Sequence, residues 1–153
     1  MLDLSKNKEL KSKKILIVLR LYDGLTKSII NGIWEPTGVP AISNLLKKIN
    51  LSKLEIILYF YIPIEKQGSF EVNKKFNKVL NRSINLMLPF PNSKKLRSFH
   101  KLFVLINYLK YGFQTFQLMK KLNCSLLYTD RSNVIGAALV SFFLKEKKVI
   151  LRL

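Results

Sequence analysis

The feature that most limits what this chain can fold into is a regular exchange between two hydrophobic periodicities. Short apolar runs rich in β-branched and aromatic residues recur along it: ILIVL (Ile15–Leu19), LEIILYFYI (Leu54–Ile62), SINLMLP (Ser83–Pro89), SLLYT (Ser125–Thr129) and KVILRL (Lys148–Leu153). Continuous runs of this length suit strands buried on both faces. Between them lie segments with apolar residues at helical spacing. GVPAISNLLKKI places Val39, Ile42, Leu45, Leu46 and Ile49 on one helix face, with Thr37 as the expected N-cap and Pro40 tolerated in the first turn. FEVNKKFNKVL carries Val72, Phe76, Val79 and Leu80 at the same spacing. A long helix is expected from about Ser98 to Lys121, although Gly112 should weaken its middle by about 1 kcal/mol relative to Ala. RSNVIGAALVSFFLKEK supplies the last helix. The polar, glycine-bearing segment from Arg20 to Thr37 reads as the loop after the first strand.

This alternation argues for an α/β domain: a Rossmann-like, doubly wound parallel sheet with helices on both faces. Right-handed crossovers make 3-2-1-4-5 the expected strand order. In that order the chain changes direction between strands 1 and 4, and ligands bind outside the carboxyl ends of those two strands. The loops there are Arg20–Thr37 and TDRSN, Thr129–Asn133. They hold Asp23, Glu35 and Asp130, in a chain with only 9 carboxylates. A carboxylate accepts up to about four hydrogen bonds, which suits a hydroxyl-rich ligand, and it can also act as a base. Plainer readings stand beside these. Asp130 can cap the following helix, with Ser132 as a rival cap. Asp23 can serve a YDG turn, and Glu35 can be solvated or paired with a lysine. Trp34, the only tryptophan, offers a stacking face for a sugar or base, or packs onto the domain as a lid. Gly24, Gly32 and Gly38 permit close backbone approach but form neither a dinucleotide fingerprint nor a Walker motif. The helix beginning at Gly38 offers free N–H groups, a generic anion site.

An apolar fraction of 48% excludes a disordered tail. Lys and Arg total 27 against 9 acidic residues, leaving +18 and an attraction to polyanions, either nucleic acid or an anionic membrane surface. Joint over-use of Lys, Asn, Ile and Phe also fits a coding sequence biased in base composition. Residues 1–13 read as a basic flexible arm ahead of a domain at 14–153. Lys6, Lys8, Lys11, Lys13 and Lys14, with Lys94, Lys95 and Arg97, are less readily explained by helix ends. Lys47–Lys48, Lys120–Lys121 and Lys145, Lys147 and Lys148 sit at or beyond helix C-termini, where the dipole favours them. One Cys and one His exclude an intrachain disulfide and a zinc-type cluster. Cys124 reads as a buried thiol, compatible with a reducing compartment. No signal-peptide pattern is visible, and no apolar run reaches the roughly 20 residues of a membrane span. The long helix is apolar on more than one side, which suits a helix between the sheet and a further neighbour, or contact with a membrane surface.

Two segments, KILIVLRLYDGLTKSIINGIWEPTGVPAISNLLKKI and LLYTDRSNVIGAALVSFFLKEKKVILRL, together resemble the N-terminal domain of a family 4 glycosyltransferase of the GT-B fold. The shared pattern is a first strand, a polar loop, a TGVPAI helix start, and a YTDRSNV strand–helix junction leading to VILRL. It covers residues 14–49 and 125–153, while residues 50–124 follow only the element order. The resemblance implies the acceptor-side half of a two-domain transferase, with Asp130 as the candidate catalytic residue. Asp23, Gly24, Trp34, Glu35, Thr37, Gly38, Arg131 and Asn133 are the implied substrate-binding residues. No cofactor is implied in this chain, and a nucleotide-sugar donor is expected for the complete enzyme. The donor domain of such enzymes carries a Glu-x7-Glu motif, which this chain lacks. An ending on a core strand adds the expectation of a fragment, inactive alone, whose partner is a missing C-terminal donor domain or a downstream-encoded half. A sugar or lipid-linked acceptor and an anionic membrane surface complete the expected partners, with a cytoplasmic location at the membrane face. The alternative is a small basic α/β module binding nucleic acid or an acidic partner, with affinity falling steeply with log salt.

Overall fold

A computed structural model describes residues 14–35, 37–38, 40–50, 55–63, 74–80, 83–90 and 100–153. The central strand, β1 (Ile15–Arg20), is buried along Leu16–Leu19. Its residues alternate between two cores: Ile17 and Leu19 face one, Leu16 and Val18 the other. A strand that must be apolar on both sides can only sit inside a covered sheet. Four further strands join it: β2 (Ile56–Tyr61), β3 (Ile84–Met87), β4 (Leu126–Asp130) and β5 (Lys148–Arg152). All pairings are parallel. The order is β3-β2-β1-β4-β5, which is the expected 3-2-1-4-5 arrangement.

The first core lies under α1 (Asp23–Asn31), α2 (Pro40–Asn50) and α3 (Lys74–Leu80). Leu25 and Ile29 of α1, Ile42 and Leu46 of α2, and Phe76 and Leu80 of α3 pack there against Leu58 and Phe60. The second core lies under α4 (His100–Lys121) and α5 (Val134–Phe143), where Tyr111, Met119 and Val140 meet Leu127. Cys124 is fully buried in this second core, and burial pushes its thiol up from its ordinary pKa. Its burial agrees with the structural-thiol reading.

Two expectations need correction. The segment after β1 is not a loop throughout, because α1 occupies residues 23–31. Leu21, Leu25 and Ile29 recur every four residues and are all buried, so one apolar face is enough to fold this polar segment onto the sheet. Gly32, at φ 69°, ends α1 in the left-handed conformation. Thr37 is not the cap of α2 either. That helix starts at Pro40, whose fixed φ suits the first helical position. The arm 1–13, Val72, and the cations Lys94, Lys95 and Arg97 also lie outside the described residues, as does the side chain of Ile49.

Candidate functional site

Three adjacent parallel strands end at one level on charged residues. β1 closes with Arg20, β4 with Asp130 and β5 with Arg152, the last two being registered partners. Parallel strands in register carry their carboxyl ends to a common edge, and the switch between β1 and β4 opens a crevice there. Its volume is about 310 Å³, and its polar lining is Arg20, Tyr22, Asp130, Arg131, Ser132 and Arg152. This is the size range of small-ligand sites.

Asp130 is held from three sides. Its Oδ1 accepts from the Tyr61 hydroxyl at 2.8 Å and from the Ser132 backbone N–H at 3.0 Å. Its Oδ2 accepts from the Arg20 backbone N–H at 2.8 Å. Asp130 is therefore the cap of the 3-10 turn Arg131–Asn133 that leads into α5, as one reading of the sequence had it. It also joins β1, β2 and β4. Three acceptances leave room for about one more hydrogen bond. Burial, and after it the Asp130 carboxylate, push Tyr61 well above the usual tyrosine range, so its hydroxyl stays protonated and donates. Tyr22 also lies at the crevice, its hydroxyl fixed 2.9 Å from Ser43 Oγ of α2.

A buried polar triangle supports this edge from below. Asn133 Nδ2 donates to Thr115 Oγ1 of α4 at 3.0 Å and to Thr129 Oγ1 of β4 at 3.2 Å. Each threonine hydroxyl in turn donates to a backbone carbonyl, Thr115 to Tyr111 and Thr129 to Val18. A Cβ at Gly136 would stand 2.6 Å from Asn133 Oδ1, so the bare α-carbon there gives the amide its place.

Of the residues that sequence pointed to, Asp130 and Arg131 meet at the crevice. The others do not join them. Asn133 is 2% exposed and committed to the triangle. Trp34 is half-buried and stacks on Phe76 with ring centroids 5.8 Å apart, so it packs onto the domain. Gly24 is buried beneath the Thr37 backbone. Asp23 is exposed in the first turn of α1, where the helix dipole favours a carboxylate. Glu35, Thr37 and Gly38 are exposed beyond that helix, Gly38 at φ 96°. Glu35 has no ion pair among the described residues, and its backbone N–H is turned to Ser28 Oγ. Sequence reasoning missed Arg20, Tyr22, Tyr61 and Arg152. Their signal was positional: each stands at or just beyond the carboxyl end of a predicted strand. Among the described residues no group of three or more His, Cys, Asp or Glu could hold a metal ion.

Removing the Tyr61 hydroxyl tests this description. Tyr61→Phe should cost about 1.5 kcal/mol at neutral pH, the scale of a hydrogen bond to a charged group. An unfolded tyrosine ionises near pH 10 while folded Tyr61 keeps its proton. The folded state then binds the extra proton, so this contribution is complete below about pH 10 and is lost as pH rises above it. Urea denaturation at about pH 8 and pH 11 should therefore show a smaller alkaline loss for the variant than for the natural chain. Equal losses in both would refute the assignment.

No family model, curated protein or solved structure matches the chain.

Proposed function

We propose that this chain is the acceptor-binding part of a nucleotide-sugar-dependent glycosyltransferase, working at a membrane face in the synthesis of cell-surface glycan or glycolipid. One observation carries the reading. The two segments that bear the family resemblance are joined by the 2.8 Å bond from Arg20 N–H to Asp130, residues 110 positions apart, at the mouth of the switch-point crevice. The crevice would hold the acceptor, and its arginines would supply positioning and charge stabilisation to a transfer completed by a donor domain on another polypeptide segment. Asp130 is the candidate base, with Tyr61 and two backbone N–H groups setting its orientation. Co-expression with the downstream reading frame, followed by a sugar-nucleotide turnover assay, is the test. Turnover is expected from the pair and not from this chain alone. A downstream frame without a donor domain, or a silent pair, counts against the proposal.

The membrane-face part of the proposal rests on α4 and α5. Leu102, Leu105, Leu109 and Phe113 of α4 are about half exposed, and Phe142 and Phe143 of α5 are 71% and 61% exposed. Phe113, Phe116, Phe143 and Phe142 form a continuous series of ring contacts. Exposed lysines stand at both ends of α4, Lys101 at one and Lys120 and Lys121 at the other. Apolar side chains rimmed by lysine match the chemistry of an anionic leaflet. No helix among the described residues is long and apolar enough to cross a membrane, so the contact would be superficial. The full chain should float with phosphatidylglycerol vesicles and not with phosphatidylcholine vesicles. Leu105→Gln with Phe113→Gln should abolish flotation while leaving the melting temperature nearly unchanged, because both side chains face outward. Unchanged flotation would remove the membrane from the proposal.

A second reading, a basic module for nucleic acid, draws on the +18 charge. It requires affinity for single- or double-stranded nucleic acid that falls steeply with log salt.

A further inference from the structure

We infer that the free edge of β5 is a docking edge for an extended segment of another polypeptide. That segment would join the sheet as a further strand, with an apolar residue flanked at alternate positions by acidic ones. The inference goes beyond the acceptor site and does not depend on glycosyl transfer.

The backbone is the first ground. β5 stands at one end of the sheet, with β4 on one side and no described strand on the other. The Lys148 N–H donates to the Ser125 carbonyl at 3.0 Å, which fixes the phase of the ladder. Backbone groups alternate sides along a strand. Lys148, Ile150 and Arg152 therefore bond towards β4, while Val149 and Leu151 turn their N–H and C=O groups outward. Among the described residues nothing meets those outward groups. The opposite edge differs. There the Met87 carbonyl accepts from the Ile62 N–H, so β3 turns Ile84 outward, and the Ile84 N–H is taken by Asn77 Oδ1 of α3 at 3.2 Å. A side chain blunts one edge of the sheet and leaves the other open.

The side chains select the kind of strand that fits. Val149 packs against the second core with Leu127, so Lys148, Ile150 and Arg152 lie on the other face. A parallel strand is ordinarily covered on both faces, yet here Lys148 is exposed and Ile150 is 48% exposed. Lys148 and Arg152 stand on either side of Ile150 and have no ion pair among the described residues. These two cations decide between occupants. In a second copy paired antiparallel about Ile150, each Lys148 would oppose an Arg152, and like charges directly opposite each other are destabilising. The net charge of +18 opposes self-association as well. A strand with acidic residues opposite Lys148 and Arg152 turns the same positions into favourable cross-strand pairs, and an apolar residue between them covers Ile150. That pattern reads alike in both directions, so it suits a parallel or an antiparallel guest.

The experiment titrates the full chain at physiological salt with a soluble peptide containing Glu-Val-Ile-Val-Glu, and with one containing Lys-Val-Ile-Val-Lys. Binding is read by calorimetry and by amide hydrogen exchange. The acidic peptide should bind about tenfold more tightly than the basic one. In the free chain the Val149 and Leu151 amides should exchange rapidly. With the acidic peptide at about ten times its dissociation constant they should slow by about tenfold, while the Ile150 amide, bonded to β4 throughout, stays slow. Lys148→Glu with Arg152→Glu should reverse the preference between the peptides. Lys47→Glu with Lys48→Glu, the same charge change in the last turn of α2, should leave it in place. No binding, equal binding of both peptides, or a preference altered equally in both charge-swapped chains would each overturn the inference. Slow exchange at Val149 and Leu151 in the free chain would mean that another segment or a second copy already fills the edge, and would overturn it too. If the β5 charge swap does not fold, the alternating exchange pattern of the natural chain decides alone. Peptide binding with no turnover by the co-expressed pair leaves the docking edge standing and removes the transferase. Turnover with no peptide binding does the reverse.

Discussion

Gly24→Ala is expected to destabilise the protein by about 2–3 kcal/mol and to shift the fluorescence of Trp34 to the red. On propensity alone the change should help, since alanine in a helix is favoured over glycine by about 1 kcal/mol. Here the space is already taken. A Cβ on Gly24 would fall on the Thr37 carbonyl and lie 2.6 Å from the Thr37 nitrogen. These are backbone atoms, and no rotamer change can move them aside. Either α1 shifts off the first core, or the segment from Gly32 to Gly38 lifts away. The second course carries Trp34 off Phe76, and because Trp34 is the only tryptophan its emission reports the event without interference. For a chain of this length the loss corresponds to a melting temperature lower by several degrees. A stability gain near 1 kcal/mol with unchanged emission would show that Thr37 does not cover α1.

Asn133→Ala is expected to cost about 2–3 kcal/mol. The side chain is 2% exposed and is the only described group joining Thr115 of α4 to Thr129 of β4. Its removal forfeits two hydrogen bonds at about 1 kcal/mol each and leaves a small cavity whose walls cannot fully close. The threonine hydroxyls keep their carbonyl partners, which limits the damage. Because Asn133 is the last residue of the 3-10 turn and its side chain anchors that turn, the variant should also loosen the amides of Arg131 and Ser132 to hydrogen exchange. A loss below about 0.5 kcal/mol, with exchange unchanged, would mean that the triangle is not formed in solution.

Gly112 shows how a residue can look like a flaw in sequence and not in space. Its place in the middle of α4 reads as a weak point worth about 1 kcal/mol. In the fold a Cβ there would stand 2.6 Å from Ile135 Cγ2 and 3.0 Å from the Gly136 nitrogen, so the glycine lets α4 and α5 approach closely. Trp34 shows the opposite case. Its rarity suggested a ligand face, but stacking on Phe76, 42 positions away in the chain, turns that face inward. Neither contact has a local signature, because each depends on which helices share a side of the sheet.

The strands, most of the helices, the parallel sheet and its order follow from the residue pattern. Buried parallel strands must be apolar on both faces, and that requirement is written into consecutive residues. It hid α1 because a polar helix needs only one buried stripe, here Leu21, Leu25 and Ile29, to join the core. The tertiary structure alone decided the crevice. Arg20, Asp130 and Arg152 are distant in the chain and belong to different patterns. They become neighbours only because three strands run parallel in register, and parallel alignment sums the ends of separate segments at one edge.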